Sequence, residues 1–263
     1  MKYFFLLKKT IPFLFLVLFF SCASKKDIIY YQDIDTLQSQ EKSTSYEIKI
    51  QPDDLLMIIV SAEDPEIAIP FNLTTLSIPT ADRPDAIGQQ STQLYLVDAN
   101  GFIDFPIVGK LKISGFTRSE VLKILQDKIA MFIKNPIINF RIMNFKYSVQ
   151  GEVTAPGSYS VASERITLIE ALSKAGDLTI YGKRNSILII REIDGVKSYN
   201  RVDITKTEFI NSPFYYLAQN DVVYIEPNKS RINAAAVGPN TGVIISVSSL
   251  LITLITLIIT FSK

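Results

Sequence analysis

A chain of 263 residues with 27 Lys plus Arg against 26 Asp plus Glu, one Cys, and neither His nor Trp excludes several chemistries at once. Without His there is no Ser-His-Asp or Cys-His catalysis and no imidazole metal site, and a single Cys builds neither an intrachain disulfide nor a thiolate zinc cage. A formal net charge of +1 supplies no basic field, so no nucleic-acid partner is expected. The length allows one large or two modest domains, each able to bury a core.

In chain order, the first element is a leader. Lys2, Lys8 and Lys9 form a basic region, Ile11 to Phe20 an apolar one, and Ser21 stands before the only cysteine, Cys22. An apolar run of about ten residues is short for a bilayer span. The pattern resembles a bacterial lipoprotein signal over 1–21, in which Cys22 becomes the lipidated first residue of the mature chain. The lipobox position three before the Cys, usually Leu, is Phe19, with Leu18 one further back. The alternative is a free Cys after an ordinary signal or anchor helix. Cleavage before Cys22 removes three Lys and no acid, leaving 24 positive against 26 negative charges, a net −2. In lipoprotein sorting, Ala23 after the Cys resembles a residue that permits delivery to the outer membrane.

Residues 22–45 read as a polar tether with a short ordered piece around Ile28 to Gln32. From Tyr46, YEIKI alternates like a strand. The turn QPDD follows, and then LLMIIVSA, a buried strand. Asp64 to Gln93 carries Pro65, Pro70, Pro79 and Pro84 and is expected to be a long loop. LYLV and FIDFP flank Asp98-Ala99-Asn100-Gly101 as a hairpin. Thr117 and Glu120 make a capping box. The helix that follows has Val121, Leu122, Leu125, Ile129 and Phe132 on its apolar face and Asn135-Pro136 at its end, and IINFRIMNF is the next strand.

A second unit of hairpin, helix and strand follows, sharing only the capping pattern with the first. SVQGEV and SYSV are strands around Ala155-Pro156-Gly157, a type II turn. Thr167 and Glu170 form another capping box, and Gly176 stops a short helix. SILIIRE and VKSYNRV pair across Asp194-Gly195, and FYYLAQNDVVYIEP closes on a strand. Residues 228–242 read as a linker. From Val243 to Phe261 there is no charge, and 19 residues give about 28 Å of helix, close to a bilayer core. Ser246, Ser249, Thr253, Thr256 and Thr260 are spaced 3, 4, 3, 4 and lie along one stripe, suited to close helix packing or to the wetter inner face of a ring. A plain single-pass anchor with incidental hydroxyls, or a buried soluble helix, are the alternatives. A lipid plus a spanning helix is more attachment than a tethered enzyme needs.

No arrangement of carboxylates rises to a catalytic site. Asp53-Asp54 and Glu63-Asp64 read as turn residues, and no phosphate loop or dinucleotide fingerprint is present. Tyr215-Tyr216 reads as core, since one of two adjacent strand residues normally faces inward, with stacking on a sugar as the alternative. No catalytic residue, no metal site and no cofactor is therefore assigned, and the protein is not expected to be an enzyme.

Taken together, YEIKIQPDDLLMIIV, YLVDANGFIDFPIVGKLKISGFTRSEVLKILQDKI and NPIINFRI resemble the polysaccharide export domain of outer-membrane polysaccharide export proteins. VQGEVTAPGSYSV, ITLIEALSKAGDL and YYLAQNDVVYIEP resemble a soluble-ligand-binding β-grasp (SLBB) domain. Two positions depart from the pattern. Pro52-Asp53-Asp54 stands where the family has Pro-Gly-Asp, and Asp177 follows Gly176 where a second glycine is usual. The resemblance implies an α+β chain: an export domain with a mixed sheet at 46–145, a β-grasp-like SLBB domain at 146–227, and one C-terminal transmembrane helix at 243–261. It further implies a ring-shaped homo-oligomer, often of eight subunits, with a periplasmic body. Such a ring conducts capsular polysaccharide or exopolysaccharide across the outer membrane and docks with an inner-membrane polysaccharide co-polymerase. The rival readings are a monomeric lipoprotein whose SLBB module binds a glycan or protein, a glycosidase-like enzyme, and an inner-membrane scaffold.

Overall fold

Alternating apolar residues sort into two adjoining buried clusters in the computed structural model, which describes residues 26, 28–36, 47–76, 90–193, 195–236 and 241–261. Ile48 belongs to one cluster and Ile50 to the other, and half-buried Ile142 packs against both. The leader, Cys22 and most of the expected tether lie outside the described residues.

The first cluster forms around β1 (Leu55–Ser61), which sends Leu56, Ile58 and Val60 inward. After it come α1 (Pro65–Ala68), β2 (Thr74–Leu76), β3 (Gln90–Thr92), β4 (Tyr95–Leu96), β5 (Phe102–Phe105), β6 (Gly109–Lys112), α2 (Arg118–Ile129) and β7 (Ile137–Ile142). β1 lies between β4 and β7, antiparallel to both, while β2–β3 and β5–β6 are separate antiparallel pairs. Among the described residues, the sheet of this half is thus not mixed as expected, because no crossover returns a strand parallel to its neighbour. The capping box of α2 forms as read: the Thr117 hydroxyl accepts from Glu120 N at 3.3 Å, and the Glu120 carboxylate accepts from Thr117 N at 2.7 Å. Its buried face is Val121, Leu125 and Ile129.

Other expectations for this half are corrected. YEIKI contributes only an isolated bridge between Lys49 and Thr117, although Ile48 and Ile50 are buried as the alternation requires. The turn at Asp98–Gly101 exists, with Gly101 at φ 82° and the Asp98 carboxylate accepting from Asn100 N and Phe102 N. Its flanking strands, however, choose other partners: β4 joins β1, and β5 joins β6. Part of the expected loop after Asp64 is ordered as α1, a 3-10 turn at Ile69–Phe71 and the β2–β3 pair; residues 77–89 are not described. Helix α2 stops at Ile129, ahead of Asn135-Pro136, and Phe132 beyond it meets Phe71 with ring centroids 5.9 Å apart.

The second cluster lies under β8 (Lys146–Gly151), β9 (Gly157–Ser160), α3 (Leu168–Lys174), β10 (Gly182–Ile193), β11 (Val196–Val202) and β12 (Val222–Pro227). The strands form one mixed sheet in the order β11-β10-β12-β8-β9, in which only the β12–β8 pair is parallel. Leu168, Ala171 and Leu172 of α3 join Ile187, Ile189, Val223 and Ile225 in its core. Chain class and layering are α+β, as read. The α3 capping box is also present, and its C-terminus closes as a Schellman motif: Gly176 N donates to Ser173 O at 3.0 Å and Asp177 N to Leu172 O at 2.9 Å. Gly157 does not have the positive φ a type II turn needs; it opens β9 as ordinary strand.

The two departures from the family pattern both fall on left-handed backbone: Asp53 has φ 67° and Asp177 φ 64°. Asp is among the few non-glycine residues that tolerate this region. The turns are therefore kept without the glycines.

Beyond β12, residues read as linker form α4 (Lys229–Ala236), and α5 (Thr241–Phe261) ends the described chain. The C-terminal helix forms where expected, over 21 residues. Among the described residues, no helix is long and apolar enough to cross a membrane, so the expected spanning character of this helix is not found.

Candidate functional site

The sequence assigns its functional residues to the two ends. Cys22 lies outside the described residues, and the five hydroxyl residues lie on α5. That helix is Ile, Leu, Val and Phe wherever it is not Gly, Ser or Thr, and every described side chain from 242 to 261 is exposed. A soluble surface helix hides an apolar stripe; this one leaves apolar residues uncovered on all sides.

Its hydroxyls are already satisfied within the helix. Ser246 donates to Gly242 O at 2.8 Å, Ser249 to Ser246 O at 2.9 Å and Thr253 to Ser249 O at 2.7 Å. Thr256 reaches Ile252 O at 2.6 Å, Thr260 reaches Thr256 O at 2.6 Å, and Ser248, off the stripe, reaches Ile244 O at 2.7 Å. Such back-bonding removes the donor as a liability in a dry environment and leaves the oxygen lone pairs as acceptors along the stripe. Sequence spacing locates the stripe but cannot reveal this.

The segment at 28–36 is held against the second domain. The Tyr30 hydroxyl donates to the Asp177 carboxylate at 2.6 Å, and the Arg184 guanidinium lies over the Tyr30 ring at 5.4 Å. Burial foremost, with the Asp177 carboxylate beside it, pushes the Tyr30 phenol well up. Tyr31 stacks on Phe209 with centroids 5.6 Å apart, and Asp33 accepts from Thr207 N at 2.7 Å. The ordered piece expected around Ile28 to Gln32 is thus a strap. Its docking partners, 147 and 174 residues away along the chain, leave no local signal in the sequence.

Elsewhere the titratable groups serve architecture. Arg191 and Asp221 form a buried pair at 2.7 Å, and Arg191 also donates to Tyr216 O and Pro213 O. Asp54 is buried, with one oxygen accepting from Gln51 N at 2.8 Å and the other without a hydrogen-bond partner; burial raises its carboxyl to about 6. Tyr215 and Tyr216 sit in the loop before β12 as a T-shaped pair 4.9 Å apart. Among the described residues no group of His, Cys, Asp and Glu could hold a metal ion.

Comparison with known proteins bears on the first domain directly. Residues 42–143 match the polysaccharide biosynthesis/export protein family. Through them the chain carries a polysaccharide biosynthesis/export domain. It is also 30% identical over 218 residues to the EPS I polysaccharide export outer membrane protein EpsA of Ralstonia solanacearum, covering 80% of this chain and 56% of that protein. It is 32% identical over 154 residues to the protein of the same name from Ralstonia nicotianae, covering 57% of this chain and 39% of that one. The chain therefore spans about half the length of these relatives or less.

Proposed function

We propose that this polysaccharide export protein is a subunit of an oligomeric channel that carries exopolysaccharide or capsular polysaccharide through the periplasm and the outer membrane. The observation that carries the reading is α5: 21 residues without a charge, apolar side chains exposed all round, and hydroxyls closed onto their own carbonyls. About 30 Å of such helix matches a hydrocarbon core. In a ring of such helices, Ser246, Ser249, Thr253, Thr256 and Thr260 line the lumen or the seam with the next copy, and the Ile and Leu faces meet lipid.

The names of the relatives support outer-membrane placement and an exopolysaccharide cargo. Cys22 is the proposed lipid anchor, the second domain the proposed SLBB module, and an inner-membrane co-polymerase the proposed partner at the far end. The channel does no chemistry on the sugar.

Electron microscopy of the detergent-extracted complex tests the assembly, with closed rings expected and a homogeneous monomer sinking the idea. Deleting 243–261 is expected to abolish polymer export while leaving the two domains folded. Normal export by that truncation would instead favour a monomeric binding module. Cys22→Ala is expected to remove lipid labelling; unchanged labelling refutes the anchor.

A further inference from the structure

Two routes to the membrane converge on one loop. It follows α3 and runs from Asp177 to Gly182. From the N-terminal side, Tyr30 of the strap bonds Asp177, and Arg184 beneath it donates to Leu178 O, Thr179 O and Gly182 O. Cys22 lies eight residues before Tyr30, at most roughly 28 Å of extended chain. From the C-terminal side, Asn228 N donates to Tyr181 O at 2.7 Å, and Arg231 of α4 lies over the Tyr181 ring at 5.5 Å. Only residues 237–240 separate α4 from α5.

Where the two routes meet, three large apolar side chains are uncovered: Ile180 at 56%, Tyr181 at 40% and Ile232 at 52% exposure. The nearby acids are engaged by the protein. Asp177 accepts from Tyr30 and Leu178 N, while Glu152 accepts from Thr179 at 2.7 Å and faces Arg231 at 3.7 Å. Exposed Lys229 and Arg231 flank the apolar group, and α4 contains no acid. An aromatic and aliphatic tip bordered by basic residues is the composition of a bilayer interface belt.

We propose that Ile180, Tyr181 and Ile232 form a lipid-contact surface, seated in the headgroup layer of the bilayer that α5 crosses. The inference rests on the membrane placement of α5 and Cys22 proposed above. Because Arg231, one of the two bases bordering the tip, already faces Glu152, its contact is chiefly apolar insertion, weakly dependent on lipid charge.

The chain contains no Trp, so single reporters read this directly. Full-length Tyr181→Trp, Ile180→Trp, Leu251→Trp and Tyr199→Trp are reconstituted in phosphatidylcholine liposomes carrying lipids brominated either high or low on the acyl chain. Leu251 is on the α5 face opposite the hydroxyl stripe, and Tyr199 is an exposed residue of β11. Shallow bromines are expected to quench the reporters at 180 and 181 by about half, with deep bromines quenching the one at 251 and neither affecting the one at 199. Quenching at 251 with 180 and 181 behaving like 199 overturns the lipid surface and leaves the membrane helix standing. No quenching at 251 overturns the membrane helix and this inference with it. Reporters at 180 and 181 that are blue-shifted in detergent rings yet unquenched by lipid overturn the inference in favour of a neighbouring subunit.

Discussion

Asp54 is a carboxylate placed at a cost. Its folded value of about 6 lies above the ordinary 3.8 because burial disfavours the charged form. A carboxyl raised in the folded state contributes most stability below its unfolded value. That contribution is lost as pH climbs from about 3.8 to about 6, and the loss is complete above it. At neutral pH the penalty is on the order of 3 kcal/mol. Thermal unfolding of the solubilised protein between pH 4 and pH 7 is expected to show that decline, and Asp54→Asn to flatten it. An unchanged slope in the variant would mean another group sets the pH dependence. In the buried Arg191–Asp221 pair, burial likewise pushes the carboxyl up, and the Arg191 guanidinium beside it opposes that shift. Asp221→Ala leaves a guanidinium buried among carbonyls and is expected to cost roughly 3–5 kcal/mol, read as a lowered Tm. The exposed pair Lys197–Glu192, at 3.7 Å, serves as the contrast: Lys197→Ala is expected to cost less than about 1 kcal/mol.

Among the elements, those with a short-range cause were legible. Both capping boxes, the Schellman stop at Gly176 and the two-residue connection before Val196 depend on residues within a few positions of one another. Pairing was not, because β4 could meet β5 or β1, and only the open edge of β1 decides. Gly151 shows the same limit. In sequence it is one residue of SVQGEV; in the fold its φ is 92°, and an added Cβ would stand 2.0 Å from Ile225 O on the parallel neighbour. Gly151→Ala is therefore expected to break the β8–β12 pairing and cost at least about 3 kcal/mol, measurable by urea unfolding. The hydroxyl stripe of α5 was visible as a period, whereas the closure of its donors required coordinates. Of the adjacent aromatics before β12, Tyr215 packs against the second cluster, while Tyr216 lies edge-on to Tyr215 under the Arg165 guanidinium.

At the scale of the molecule, the strap makes the second domain discontinuous in sequence: 28–36 lies against 146–227, and the export domain is the excursion between them. A cut within 37–46 is consequently expected to leave the N-terminal piece bound under native conditions. Tyr31→Ala, which removes the stack on Phe209, is expected to let it dissociate after the same cut. Size-exclusion chromatography of the nicked protein separates the outcomes, and release of the piece from the unsubstituted protein would show that the strap is not a stable contact.

The same strap sets an order of events during biogenesis. Tyr30 and Asp33 are made early in synthesis, yet Asp177 and Thr207 lie 147 and 174 residues later. The export domain, whose core residues from Ile50 to Phe140 all lie within its own stretch, can finish folding while the strap still waits. Closing so long a loop is slow relative to local structure and is opposed by chain entropy. Docking of the strap is accordingly a late step, and it reports that the second domain has been completed. A chain truncated within that domain would keep a folded export domain and a loose N-terminus.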